Sequence, residues 1–123
     1  MEGCIFCEPP NTEIICENDL ALASYDKFPV SKGHVLVIPK RHVPDYFAAT
    51  KEEAAAIHEL VHEVKEHLEK KYNPDGYNIG VNVGLAGGQT VFHLHVHVIP
   101  RYKGDVENPK GGVRNLMPNL VRY

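Results

Sequence analysis

What this chain lacks narrows its possibilities before any motif is read. No apolar run approaches the roughly 20 residues that a membrane-spanning helix requires, so no membrane partner is expected. The first residues, Met1-Glu2-Gly3-Cys4, carry no apolar core of the kind a signal peptide needs, and a cytoplasmic location is the expectation. Basic residues are not in excess: 13 Lys and Arg stand against 16 Asp and Glu, for a formal net charge of -3. A general nucleic-acid binder would present a broad basic surface, so no nucleic-acid partner is expected, although local cationic spots remain at Lys40, Arg41, Arg101 and Arg114. Cysteine is sparse, with three residues. In a reducing compartment these stay as thiols, so Cys4 and Cys7 need a reason other than a structural disulfide. No internal repeat or low-complexity tract is present, and 123 residues leave room for a single domain over 1–123.

What the chain does contain is gathered around residues 84–101, Gly-Leu-Ala-Gly-Gly-Gln-Thr-Val-Phe-His-Leu-His-Val-His-Val-Ile-Pro-Arg. A glycine-rich bend leads into strict alternation, with His93, His95 and His97 separated by Leu94 and Val96 and followed by Val98. Successive side chains leave a strand on opposite faces, so the alternation predicts a half-buried strand. Its aliphatic residues would face a core, and its imidazoles would line the other face about 7 Å apart. Three groups that titrate near neutral pH, directly after a glycine turn, suit a reaction site better than a solvated surface.

Cys4-Ile5-Phe6-Cys7 is a C-x-x-C pair followed by Glu8-Pro9-Pro10. A thioredoxin-like redox pair needs a preceding strand and a helix starting at the motif, and this position allows neither. Two thiolates at this spacing can grip a tetrahedral zinc, but they supply half a site; the alternative is a free surface pair. His42 leaves one predicted strand and His93 begins another, so these two imidazoles could complete a closed four-ligand set with Cys4 and Cys7.

The remaining pattern predicts an α+β domain with an antiparallel sheet. Strands are expected over Glu13–Glu17 and Leu20–Tyr25, joined by the turn signal Asn18-Asp19, and over His34–Ile38. Cys16 reads as a small apolar residue within the first of them. Thr50-Lys-Glu-Glu53 is a capping box that opens one long helix from Lys51 to about Tyr72, whose stripe is Ile57, Leu60, Val61, Val64, Leu68 and Tyr72. Tyr77 to Val83 reads as a strand with Ile79, Val81 and Val83 inward and Asn78, Gly80 and Asn82 outward. From Lys103 onward the glycines and prolines break every pattern, so 103–123 is expected as an irregular tail over the domain or against a partner subunit. The helix also contains His58-Glu59-Leu60-Val61-His62, a literal H-E-x-x-H. At 100° per residue both histidines fall beside or beyond the apolar stripe, which makes a chance match on a wet surface the better reading than a zinc peptidase.

The run His93-Leu94-His95-Val96-His97-Val98-Ile99 resembles the signature of the histidine-triad (HIT) family. The resemblance extends through the preceding Gly-Gly-Gln-Thr, the following Ile-Pro-Arg, Gly33-His34-Val-Leu-Val-Ile-Pro-Lys40 with His42, and Val81-Asn82, covering roughly residues 4–102. It implies a HIT-like antiparallel sheet of about five strands, one long helix and a short one, with the sheet continued across a homodimer. It also implies a small-molecule nucleotide substrate and reaction at the α-phosphorus, with hydrolysis or transfer through a nucleotidyl-histidine. On the matching positions, His95 resembles the nucleophile, His97 the histidine that contacts the phosphate, and His34 the one that supports the proton network. Gly88, Gln89 and Thr90 look like the phosphate-side loop, with the Gln89 amide holding developing charge. Asn82 matches a phosphate-contacting asparagine and Asp26 a ribose-binding acid. In zinc-bearing members the ligands correspond to Cys4, Cys7, His42 and His93, which makes the zinc structural and leaves the chemistry without a metal requirement. The segment Ile-Pro-Arg-Tyr-Lys-Gly-Asp looks more like the fragile-histidine-triad and bacterial branches than the phosphoramidase branch. That tilts the implied substrate toward diadenosine polyphosphates or related adenine nucleotides, with adenosine phosphoramidates, or nucleotide-binding regulation with incidental hydrolysis, as the alternatives.

Overall fold

The computed structural model describes residues 3–8 and 13–117. The outermost parts of two expectations, the N-terminal zinc segment 1–10 and the tail 103–123, lie outside those residues. The chain runs β1 (Ile14–Glu17), β2 (Ala21–Tyr25), β3 (Val35–Pro39), α1 (Lys51–Lys71), β4 (Gly76–Gly80) and β5 (Val96–Arg101). Short 3-10 turns lie at Tyr46–Ala48, Leu85–Gly87 and Gly112–Leu116. All pairings are antiparallel and the sheet order is β1-β2-β3-β5-β4. This is the expected α+β arrangement of five strands and one long helix. Where a second short helix was expected, the described residues hold these single 3-10 turns. No described helix is long and apolar enough to cross a membrane.

Local chemistry explains the elements. Asn18 Oδ1 accepts from the Leu20 and Ala21 amides at 3.1 and 2.9 Å, which closes the β1–β2 hairpin as an Asx turn. Thr50 Oγ1 accepts from the Glu53 amide while Glu53 reaches back to the Thr50 amide, the reciprocal cap that the sequence predicts. Ile57, Leu60, Val64 and Leu68 of α1 pack on Ala21, Ala23, Val35, Val37, Leu94, Val96 and Val98. The helix therefore covers one face of the sheet, and alternation sends Ser24, Leu36, Ile38 and His97 to the other. Gly33 sits at φ +90, and a Cβ there would come within 2.9 Å of the Tyr72 ring, so the chain can enter β3 in this way only with glycine.

Two expectations are corrected. The strand predicted over Tyr77–Val83 ends at Gly80, and Ile79, which takes the expected helix-facing side opposite Val98, stays 52% exposed there. Its strand is the sheet edge, paired with β5 alone, and there Tyr77 and Val81 turn toward the core. The three triad histidines do not share one strand either. Pairing between β3 and β5 stops at Val37–Val96, and upstream the chain peels off so that the Leu94 amide bonds to the Val43 carbonyl at 2.7 Å. Leu94, Val96 and Val98 keep their helix-facing positions, but the row of imidazoles is broken.

Glu53 does more than cap. Its carboxylate, 4% exposed, accepts from Arg41 Nε and Nη2 at 3.0 and 2.8 Å, tying the exit of β3 to the start of α1. The Arg41 hydrogen bonds hold the Glu53 carboxyl down at about 2, against an ordinary 4.5, and the Thr50 backbone acts in the same direction. Glu53 therefore contributes its full stabilisation above about pH 4.5 and loses it progressively as pH falls toward 2. Replacing Glu53 by Gln should destabilise the fold by about 2 kcal/mol at neutral pH. The gap to wild type should then close on acidification. Chemical denaturation at a series of pH values measures it, and a pH-independent difference would contradict the assignment.

Candidate functional site

The N-terminal pair and two distant histidines converge. Cys4 Sγ and Cys7 Sγ lie 3.5 and 3.4 Å from His93 Nδ1, and Cys7 Sγ lies 3.2 Å from His42 Nδ1. All four donor atoms fall within 4.8 Å of one another. A tetrahedral ion with bonds of about 2.3 Å to sulfur and about 2.0 Å to nitrogen has sulfur–nitrogen edges of roughly 3.5 Å, so the donor set fits one. The His93 Nε2–H donates to the Pro39 carbonyl at 2.8 Å, which leaves the Nδ1 lone pair for the ion. Burial pushes His93 below the usual histidine range and keeps it neutral, as a ligand must be. With two thiolates and two imidazoles the set has no place for a reacting water, so the ion it could hold is structural.

A second histidine group lies on the open face of the sheet. His34 Nδ1 accepts from the Val30 amide at 3.1 Å, so its proton sits on Nε2. That nitrogen lies 2.9 Å from His97 Nδ1 and 3.3 Å from Asp26 Oδ2. His97 Nδ1 is thus the acceptor, and its own proton is left on Nε2. Burial lowers both pKa values from the usual histidine range; for His34, Asp26 opposes this, and for His97 the neighbouring His95 and His34 add to it. Both rings are neutral near pH 7.

His95 is oriented by the backbone. Its Nδ1 lies 2.9 Å from the His93 carbonyl oxygen, an acceptor, so Nδ1 carries the proton and Nε2 keeps its lone pair. The Phe6 and His97 rings flank it at centroid distances of 4.9 and 5.2 Å. An imidazole fixed in this tautomer can act as a nucleophile, and the neighbouring His97 N–H is a donor for an anionic oxygen.

Both histidines open into a cleft of about 780 Å³. One wall is apolar, built from Ile5, Phe6, Phe28, Leu36 and Ile38, while Ser24, Asp26 and Thr90 add polar groups. Of the candidate residues on the phosphate side, Thr90 reaches this cleft, whereas Asn82, Gly88 and Gln89 are not among its lining. Gln89 is 1% exposed. Its amide donates to the Pro44 and Val91 carbonyls at 2.7 and 3.1 Å, and its oxygen accepts from the Gly84 amide at 2.9 Å. In this conformation the side chain braces the turn from inside. Asn82 is exposed beside Gly88. Sequence reasoning did not single out Ile5, Phe6 or Phe28 as cleft residues. The first two had a signal, since a C-x-x-C turn must carry its middle residues wherever its sulfurs go; Phe28 had none. His58 and His62 are exposed on α1 with rings 4.7 Å apart, as the helix geometry predicts.

Comparison with known proteins follows the same lines. Residues 9–104 match the HIT domain. A HIT-like protein of Methanocaldococcus jannaschii is 42% identical over 118 residues, covering 92% of this chain and 91% of that one. The bis(5'-adenosyl)-triphosphatase of Dictyostelium discoideum is 40% identical over 97 residues, 79% of this chain and 65% of that protein. The crystal structure of a Zn-bound histidine triad family protein from Mycobacterium smegmatis superposes with a TM-score of 0.76 at 36% identity, covering 84% of this chain and 78% of the other.

The three thiols are chemically unequal. Burial pushes Cys16 up to about 11, with Glu63 adding to the effect, so it should react slowly with a disulfide reagent. Chelation of the metal-loaded protein should release one ion and expose two fast-reacting thiols per chain, leaving the third slow. Three equally reactive thiols before chelation would contradict the four-ligand site.

Proposed function

This chain belongs to the HIT family, and on that premise we propose that it is a nucleotide hydrolase or transferase acting at the α-phosphorus through a nucleotidyl-histidine at His95. Diadenosine polyphosphates or related adenine nucleotides are the proposed substrates, the class to which the Dictyostelium relative's name belongs. The observation that carries the reading is the hydrogen bond between His95 Nδ1 and the His93 carbonyl. It leaves Nε2 free to attack phosphorus while the carbonyl stabilises the positive charge that the ring acquires when the nitrogen–phosphorus bond forms.

The sequence of events is short. Nε2 displaces the leaving group, whose oxygen departs with the bonding pair and takes its proton from solvent. The His97 Nε2–H, held in place by His34 and Asp26, donates to the phosphoryl oxygens as charge builds on them. Water then attacks the phosphoramidate and gives up a proton to solvent, the phosphorus–nitrogen bond breaks with its electron pair returning to Nε2, and His95 regains its starting tautomer with release of a nucleoside monophosphate. Thr90 lines the cleft and is assigned to the phosphate. Gly88 and Gln89 shape the turn that presents Thr90. Asp26, whose Oδ2 lies 3.3 Å from His34 Nε2, offers its lone pairs to the ribose. The apolar wall of Ile5, Phe28 and Ile38 takes the base. Cys4, Cys7, His42 and His93 would hold a zinc ion that would cross-link the N-terminal turn to the sheet, and a histidine triad family relative from Mycobacterium smegmatis is Zn-bound.

The assembly proposed is a homodimer with the sheet continued across β4. This edge carries the exposed Ile79 beside an apolar groove of about 560 Å³, lined by Ile57, Val61 and Tyr77 among others. An unpaired edge of this kind invites a second copy.

Rapid quenching of a reaction with adenylyl-labelled diadenosine triphosphate tests the reading. Label should appear on His95, and His95→Ala should lose at least about a thousandfold in turnover while still binding nucleotide. Label on another side chain, or turnover with no adduct, would rule the mechanism out. Sedimentation of the same preparation should give twice the chain mass; a monomer would remove the dimer from the account.

A further inference from the structure

The metal centre and the cleft share a wall. Cys4 and Cys7 hold one end of the donor set, and the two residues between them, Ile5 and Phe6, line the cleft. The Phe6 ring stands 4.9 Å from His95 and 6.1 Å from His93, edge-on to the second. On the other side of the nucleophile, the residue whose Nδ1 joins the donor set is the one whose carbonyl fixes His95. Among the described residues, the hydrogen-bonding contacts from residues 3–8 to the rest of the protein run through the two sulfurs, and the turn itself closes with a single backbone bond, Cys7 N–H to the Cys4 carbonyl at 3.2 Å. Ile5 is 63% exposed, so packing alone holds it weakly.

From this arrangement we infer that metal binding and nucleotide binding are thermodynamically coupled, with Phe6 as the positioning residue that transmits the coupling. The inference rests on the proposed function, because it takes a nucleotide as the occupant of the cleft. Without the ion, a turn tied down through its sulfurs samples many conformations, and a nucleotide must order it before using Ile5 and Phe6 as a wall. With the ion bound, that ordering has already been done, so the second ligand meets a formed surface. The effect is reciprocal: whatever factor the metal adds to nucleotide affinity, the nucleotide adds to metal affinity. Phe6 also limits rotation of the His95 ring, so the metal holds the nucleophile from two directions without touching it.

Calorimetric titration with adenosine 5'-monophosphate provides the test, using zinc-loaded and chelator-stripped protein. Binding to the stripped protein should be weaker by about tenfold, and zinc should be held tighter by the same factor when the nucleotide is saturating. Phe6→Ala should bind zinc as the wild type does, yet show a clearly smaller difference in nucleotide affinity with and without it. Equal nucleotide affinity of the loaded and stripped wild-type protein overturns the coupling and leaves the proposed function standing. A nucleotide that binds neither form overturns both. Should the stripped chain lose its cooperative unfolding transition, transfer of zinc from the loaded protein to a competing chelator, with and without nucleotide, decides the matter; identical transfer overturns the inference.

Discussion

The structure turns on one hydrogen bond between neighbours two residues apart, from the His95 ring to the His93 carbonyl. A carbonyl in a regular ladder would be engaged with the adjacent strand and unavailable to a side chain. Here β5 has already parted from β3 before residue 95, and the Leu94 amide has found Val43 instead. That departure frees the His93 carbonyl, and the freed carbonyl sets the tautomer of His95. The rest of the site can be seen as support for this arrangement. His93 is anchored from its side chain by Pro39 and by the sulfurs of Cys4 and Cys7, and His95 is flanked by Phe6 and His97.

The same sheet serves stability and chemistry by dividing its faces. Val35, Val37, Val96 and Val98 join α1 in the core. Leu36, Ile38 and His97, their neighbours in sequence, build the open cleft. A rigid, helix-backed sheet thus presents His95 and His97 to the cleft without burying them completely. The burial that remains is enough to keep His34 and His97 neutral, the state in which a chain of single-donor imidazoles can define where each proton sits.

Much of this was legible in the sequence, and the parts that were not have physical reasons. The capping box at Thr50, the long helix and the helix-facing role of Leu94, Val96 and Val98 follow from periodicity and local chemistry. The convergence of Cys4, Cys7, His42 and His93 was visible as a possibility and as a family likeness, but spacing along a chain does not specify meeting in space. Alternation reports faces and not ladder bonds, which is why it predicted one strand through all three histidines where the chain in fact peels away. Ile79 was placed inward on the same period-two logic and does share the helix-facing side with Val98, but at the edge strand it stays half exposed. Gln89 shows the limit most plainly. A polar residue in a glycine turn reads as a ligand contact, and only its three backbone partners, brought from Pro44, Gly84 and Val91, show that its amide is spent inside the protein.

Direct observation of the His95 proton tests the central claim best. Long-range nitrogen–proton NMR correlation on imidazole-labelled protein at neutral pH should show His95 protonated at Nδ1 with an unprotonated Nε2. A spectrum with the proton on Nε2, or with the two tautomers exchanging freely, would mean that the His93 carbonyl does not prepare the nucleophile, and the account built on it would fail.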